Sequence, residues 1–242
     1  MPSRSSNSSK ILVALGIILL LSITQRSTCT VSSNASENRF YAIGFWYSST
    51  NINNQTLGVS GRITVYDNKI KGTGLRVYEF VQILFSDGSW IQIGYVKYLS
   101  GQLEYYWEYL FAAAPPPSFY PIGPAKAGET PLFKIYRSDT TTWKLLKDGS
   151  QWTITAPSGY SRGRAEAALE SVDSAKKTMN DGRGRFTELK YYYGGSWSNW
   201  NAIKFTNGSG KAGVEYPPDP PYHAKASDTN GFITWGDYDA DP

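Results

Sequence analysis

The protein has 242 residues, a formal net charge of +4 and a single cysteine, Cys29. A chain of this length allows one large all-β domain or two small ones. Its basic residues are scattered along the sequence, whereas nucleic-acid-binding proteins usually gather them in a dense stripe. We therefore exclude a nucleic-acid partner, and the lone cysteine excludes a scaffold held by intrachain disulfides.

The amino-terminal segment has the pattern of a secretory signal peptide. A polar stretch with Arg4 and Lys10 precedes an uncharged apolar run at 11–23, and polar residues follow that run. We predict a signal peptide over 1–29, with cleavage between about 25 and 35, and one secreted domain over 36–242. The alternative is an uncleaved anchor, although the run is shorter than the ~20 residues that span a bilayer. After cleavage we expect no stable membrane insertion.

Three Asn-x-Ser/Thr triplets follow the apolar run, at Asn34, Asn54 and Asn207. Each can accept a glycan only in a compartment that contains the transferase, so the triplets agree with export. We predict these three asparagines as glycosylation sites.

Alternation of apolar and polar residues with period two recurs from Phe40 to Trp235 and predicts an all-β chain. Asp87-Gly88 and Asp148-Gly149 predict hairpin turns. The stretch 164–179 fits either a helix or a strand followed by a short helix. The sequence predicts an antiparallel two-sheet β-sandwich with at most one short helix. The predicted strands cover 62–66, 78–85, 90–96, 103–110, 131–136, 142–146, 151–155, 188–193, 202–205 and 231–235.

The residue inventory excludes several catalytic chemistries. His223 is the only histidine and no Gly-x-Ser-x-Gly turn occurs, so a histidine-activated nucleophile has no support. One histidine and one cysteine cannot assemble a zinc site. Neither a phosphate-binding glycine-rich loop nor a dinucleotide fingerprint is present. We expect no metal and no cofactor, which leaves carboxylate and amide chemistry or binding by aromatic surfaces.

Alternation also groups the candidate polar side chains. In the strand 90–96, Trp90 and Gln92 share the face opposite the isoleucines. In the strand 103–110, Glu108 lies on the face opposite Trp107. The segment that follows Arg164 adds two further carboxylates, Glu166 and Glu170.

The order of these motifs over about residues 60–205 resembles the eqolisins, a family of glutamic peptidases. The motifs are Gln-x-Gly-aromatic at 92–95, an aromatic run at 104–109, Gly128-Glu129, a strand that ends in Asp-Gly, and Ala-Glu-x-x-x-Glu at 165–170. The resemblance implies a secreted double-sheet protein with a concanavalin A-like jelly roll. It implies Gln92 and Glu166 as the catalytic pair, and Trp107 and Glu108 as residues that line the cleft.

We add Trp90 to the substrate-binding candidates because it shares the face of Gln92. In the mechanism that the resemblance implies, Glu166 takes a proton from water and returns it to the leaving amine. Gln92 holds that water and donates to the oxyanion. Two departures from the family are an expected cleft tryptophan replaced within 79–82 and a basic pI of 8.9, where fungal members are acidic.

Two other functions stay open. A non-catalytic lectin-like or adhesion module could use the same fold, with a candidate sugar-stacking patch at 191–193, Trp197 and Trp200. A glycoside hydrolase would need two carboxylates that flank the scissile bond, and the Glu-x-Asp-x-Glu pattern common on such folds is absent. We expect a monomer whose partner is a polypeptide substrate or an extracellular glycan.

Overall fold

The computed structural model describes residues 37–46, 54–112, 117–176, 178–200, 203–206, 222–228 and 230–239. The predicted signal peptide and the predicted glycosylation sites Asn34 and Asn207 lie outside these ranges. All of the described strands belong to one compact unit, Ala35–Pro242. Within the described ranges, no helix is long and apolar enough to cross a membrane.

Fifteen β-strands, and no helix, make up the regular structure of the described residues. The prediction of an all-β chain is therefore confirmed. The strands are β1 (Asn38–Trp46), β2 (Gly58–Ile63), β3 (Gly74–Leu84), β4 (Trp90–Tyr98), β5 (Leu103–Leu110), β6 (Ser118–Pro124), β7 (Leu132–Arg137), β8 (Thr142–Lys147), β9 (Ser150–Thr155), β10 (Arg164–Asp173), β11 (Gly184–Tyr193), β12 (Ser196–Asn199), β13 (Ile203–Thr206), β14 (Tyr222–Asp228) and β15 (Gly231–Gly236).

The strands form two antiparallel sheets. Sheet 1 has seven strands in the order β13-β1-β10-β3-β4-β5-β6. Sheet 2 has eight strands, with β14-β15-β11-β2-β7-β8-β9 in order and β12 paired to β11. The strands β3 to β6 follow one another as hairpins, whereas β10 returns from far along the chain to lie between β1 and β3. The two sheets pack face to face, as a β-sandwich requires.

The core lies between the sheets and is filled by alternate residues of the strands. Ile91 and Ile93 of β4 belong to the same core as Trp143 and Leu145 of β8, and all four side chains are fully buried. The indole N–H of Trp143 donates to the carbonyl of Tyr160 at 2.9 Å, so the large ring buries its apolar area without an unpaired donor. Alternation therefore sends the residues between these core positions to the outer face of each sheet.

The ambiguous segment from Arg164 onwards is a strand. It pairs with β3 along its whole length and with β1 from Glu166 to Asp173, so its Ala and Glu residues do not form the helix that their propensity favours. Ala165 and Ala167 face the core with no exposed surface. Two flanking ladders of hydrogen bonds outweigh a helix preference of a few tenths of a kcal/mol per residue.

Turns and edges follow the sequence rules, whereas four of the fifteen strands, β1, β6, β12 and β14, were not predicted. Asp148 and Gly149 have φ of 46° and 94°, which is the type I′ geometry predicted for this hairpin. Gly88 has φ of 83° in the other predicted turn. The sequence did not predict β6, because Pro121 interrupts it. In the structure β6 is an edge strand of sheet 1, where a proline is tolerated.

Candidate active site

Four polar side chains form a row across the outer face of sheet 1. In the strand register, Glu166 of β10 pairs with Gln82 of β3, Gln82 pairs with Gln92 of β4, and Gln92 pairs with Glu108 of β5. We call these four residues the polar row. Neighbouring strands lie about 4.8 Å apart, so the row crosses three spacings, about 14 Å.

The carboxylate of Glu166 is held on both oxygens. Gln82 donates from Nε2 to Oε2, and Arg164 donates from Nε to Oε1 and completes an ion pair with the same oxygen. Glu166 has no exposed surface, whereas the Arg164 side chain is 27% exposed and packs its guanidinium 4.7 Å from the ring centre of Phe45. The ion pair presents Glu166 as a carboxylate, the form that a general base needs.

The amide of Gln92 is held by two acceptors on β5. Its Nε2 lies 2.9 Å from the hydroxyl of Tyr106 and 2.5 Å from Oε1 of Glu108. Gln92 is 3% exposed and Tyr106 is fully buried. Both N–H groups of the amide are therefore engaged in this arrangement, which fixes its orientation toward Glu108.

The carboxyl group of Glu108 has a higher pKa than an ordinary carboxyl group. Burial raises its pKa to about 8, and the nearby carboxylate of Glu170 adds to the increase, while Arg39 and Arg76 oppose it. Burial also raises the pKa of Glu170, although Arg39 donates to it at 2.5 Å. The outer face of sheet 1 thus contains a carboxyl group, Glu108, that is protonated at neutral pH beside the amide of Gln92.

These pKa values predict that the protein loses stability as pH rises. A carboxyl with a raised native pKa binds more protons folded than unfolded between its unfolded pKa, about 4.3, and its native pKa. For Glu108 this window ends at about 8. We expect the free energy of unfolding to fall from pH 5 to pH 8, and Glu108→Gln to reduce that fall because the amide does not titrate.

Thermal melts across pH 5 to 8 test this expectation. The matched control is Glu104→Gln, which removes a half-buried carboxyl from the same face of β5 and should follow the wild type. A wild-type stability that increases toward pH 8, or a pH dependence that Glu108→Gln leaves unchanged, would contradict the assignment.

The structure brings most of the predicted site residues to one face. Gln92, Glu166 and Glu108 belong to the polar row, and Trp90 lies half-buried on the same face, one residue pair away along β4. Gln92 and Glu166 lie in the same row but on strands that are not neighbours, because β3, which carries Gln82, lies between β4 and β10.

Trp107 does not lie on this face. It points into the core between the sheets, is 9% exposed and stacks on Tyr120 with ring centres 3.9 Å apart. Neighbours along a strand face opposite sides, so Trp107 and Glu108 cannot both line one surface of sheet 1. The predicted substrate-binding role of Trp107 has no support from its position.

Two residues of the site were missed from the sequence. Gln82 lies in a predicted strand whose other residues on its face, Tyr78, Phe80 and Leu84, are apolar or aromatic. A lone amide in such a run is a usable signal, since a buried polar side chain needs a partner. Arg164 had no comparable signal, because a strand-end arginine is usually solvated.

The other predicted features lie elsewhere. The aromatic cluster is divided: Trp200 is fully buried in the core, while Tyr192 and Trp197 stack on the outer face of sheet 2 with ring centres 5.2 Å apart. Asn54 is exposed. Among the described residues, no group of three or more potential metal-ligating side chains is arranged to hold an ion.

The sequence matches no protein-family profile and no curated protein. Two crystal structures of scytalido-glutamic peptidase, one with a transition state analog inhibitor and one with a peptide-based analog, share the fold with TM-scores of 0.54 and 0.53. The fold is a jelly roll. In both comparisons the identity is 12%, and the match covers 83% of this chain and 98% of the peptidase chain.

A third similar structure is that of SCP-B, described as a member of the eqolisin family, in complex with the tripeptide Ala-Ile-His. Its TM-score is 0.49 at 12% identity, with the same 83% and 98% coverage. More distant matches include chicken galectin 2, with a TM-score of 0.37 at 8% identity, and a family 16 endo-glucanase from Bacteroides ovatus, with a TM-score of 0.34 at 13% identity. Similarity at this level of identity establishes the jelly roll, and function has to be argued from the side chains.

Proposed function

We propose that this protein is a secreted glutamic endopeptidase that hydrolyses polypeptides with Glu166, Gln92 and an activated water. The observation that supports the proposal is the polar row, which aligns a carboxylate and two amides on one face of sheet 1. This chemistry needs neither a thiol nor a histidine. It therefore suits a chain with one cysteine and one histidine.

Glu166 is the general base in this proposal. Its carboxylate takes a proton from a water as that water attacks the peptide carbonyl, and then gives the proton to the departing amine. Arg164 pairs with one carboxylate oxygen, and its partly exposed side chain can turn toward solvent when substrate arrives. That movement would uncover the carboxylate, which has no exposed surface in the structure.

Gln92 provides the donor for the oxyanion. Its N–H groups point at Glu108 and Tyr106, so one must be released before it can donate to substrate. A protonated Glu108 permits this, because its O–H and the Tyr106 hydroxyl can both donate to the amide oxygen of Gln92 after the amide turns over. The turned amide then directs its N–H groups toward the bound peptide, where they stabilise the developing charge.

Gln82 completes the arrangement between the two proposed catalytic residues. One of its N–H groups fixes Glu166, and this hydrogen bond spans 84 positions in the sequence. Aromatic side chains flank the row: Trp90 lies in the neighbouring row, and Phe119, 37% exposed, pairs with Glu108 at the far end. These rings offer apolar contacts for side chains of an extended polypeptide.

The variant Gln92→Ala tests the proposal. With a denatured protein as substrate at pH 2 to 8, we expect cleavage by the wild type and a loss of about 10²-fold in kcat for the variant, the usual cost of an oxyanion donor. Gln151→Ala is the matched control, because Gln151 is exposed on β9 in the other sheet. The folded wild type cleaving nothing across this range, or Gln92→Ala retaining full kcat, would overturn the proposal.

A further inference from the structure

The outer face of sheet 2 collects basic side chains that are far apart in the sequence. Arg62, Lys134, Lys144, Arg185 and Lys190 come from four strands and alternate with core residues, so all five point away from the core. We call this set the basic face. The six strands β2, β7, β8, β9, β11 and β12 contain one acidic residue, Glu188, and it pairs with Arg62 at 3.1 Å.

Three lysines form the centre of the basic face. Lys190 and Lys134 both pair with Ser60 from opposite sides, which separates them by two strand spacings, about 9.6 Å. Lys144 lies diagonal to Lys134 across β7 and β8, a separation of about 7–8 Å. The three ammonium groups can therefore contact successive anionic groups on a single extended polymer.

Aromatic rings lie beside these lysines, in the same row as Lys144 and in the row next to that of Lys134 and Lys190. Trp197, Tyr192 and Tyr136 occupy one row on either side of Gly58, whose lack of a side chain makes room for the Trp197 ring. The Lys134 ammonium lies 4.7 Å from the centre of that ring. Aromatic rings at the border of a cationic surface contact the C–H faces of sugar rings.

We propose that the basic face is a binding site for an acidic polysaccharide. The lysines would pair with carboxylate groups along the polymer and the tyrosines and tryptophan would contact its sugar rings. The polar row lies on the outer face of the other sheet, so a chain bound here leaves the proposed catalytic face open. The site would hold the protein on an anionic extracellular polymer independently of peptide hydrolysis.

The test is titration of the purified protein with polygalacturonate, a linear polymer of uronic acid. We expect binding that weakens as salt is added, because charge pairs on an exposed face are screened. The triple variant Lys134→Gln, Lys144→Gln and Lys190→Gln should bind at least about tenfold more weakly. A matched triple variant at three exposed lysines outside this face, Lys69, Lys126 and Lys176, removes the same charge and should stay within about twofold of the wild type.

Two further measurements separate this site from general attraction to anions. Fully methyl-esterified polygalacturonate, which keeps the sugar backbone without the charge, should not bind measurably, and Trp197→Ala should weaken binding to polygalacturonate but not to poly-glutamate. Equal losses in the two triple variants would overturn the proposal. Binding of poly-glutamate or phosphatidylserine vesicles as tightly as polygalacturonate would also overturn it.

Discussion

Replacement of Glu166 by glutamine is expected to lower kcat for peptide hydrolysis by about 10³-fold or more while leaving the fold intact. The amide is nearly the same size as the carboxyl and can still accept from Gln82, so the row keeps its shape. It cannot take a proton from water. Arg164 loses its ionic partner, but its side chain is 27% exposed and can be solvated instead.

The matched control for this prediction is Glu104→Gln. Glu104 lies on the same face of sheet 1, two rows from Glu108 along β5, and removing its charge should leave kcat unchanged. Circular dichroism and thermal melts of both variants separate a chemical loss from unfolding. Full activity in a folded Glu166→Gln protein would remove Glu166 from the mechanism.

Replacement of Gly94 by alanine is expected to lower the free energy of unfolding by about 3 kcal/mol or more. If the wild-type free energy of unfolding is smaller than this cost, soluble protein should not accumulate. A Cβ at this position would collide with the carbonyl oxygen of Glu79 and the Cα of Phe80, both backbone atoms of the neighbouring strand β3. Backbone atoms in a central ladder cannot move aside as a flexible side chain can. Strands β3 and β4, which hold Gln82 and Gln92, would have to separate.

Gly88→Ala provides the comparison for Gly94→Ala. Gly88 has φ of 83° in the turn between the same two strands, and nothing lies within 4 Å of a Cβ built there. Its replacement should therefore cost only about 1 kcal/mol, the penalty for a left-handed residue. Denaturant unfolding measures both variants. If the two variants lose the same free energy of unfolding, the close approach of β3 to β4 is not the reason for a glycine at position 94.

The outward position of Gln92 could be read from the sequence. Ile91 and Ile93 on either side of it are apolar and enter the core, and strict alternation then sends Gln92 to the other face, as the structure has it. The same rule groups Glu108 with that face and predicts two packed sheets from the many short alternating runs. Local periodicity carries this information because it depends only on neighbouring residues.

The contact between Glu166 and Gln82 could not be predicted from the sequence in this way. Gln82 contacts it because β10 inserts between β1 and β3, a pairing set by the packing of the whole sheet and not by any local pattern. Trp107 illustrates the reverse case. Alternation already placed it opposite Glu108, yet the resemblance to a peptidase cleft suggested a surface role, and the core position of Trp107 follows the local rule.

The basic face could not be predicted from the sequence, for the same reason as the contact between Gln82 and Glu166. Lys134, Lys144 and Lys190 are separated by 10 and 46 positions in the sequence, so they do not form a run of positive charge that a reading of the sequence would detect. Only the strand order β11-β2-β7-β8 brings them onto one surface. A scattered basic composition can therefore become a patch when a sheet is assembled from distant strands.

Mass spectrometry of a defined unstructured peptide, after incubation with the purified, folded protein across pH 2 to 8, tests whether the protein hydrolyses peptide bonds. We expect pairs of products whose masses add up to the peptide plus one water, formed by the wild type and absent with Glu166→Gln. Recovery of only the intact peptide at every pH, from protein that melts cooperatively, would contradict the assignment of the polar row as a peptidase site.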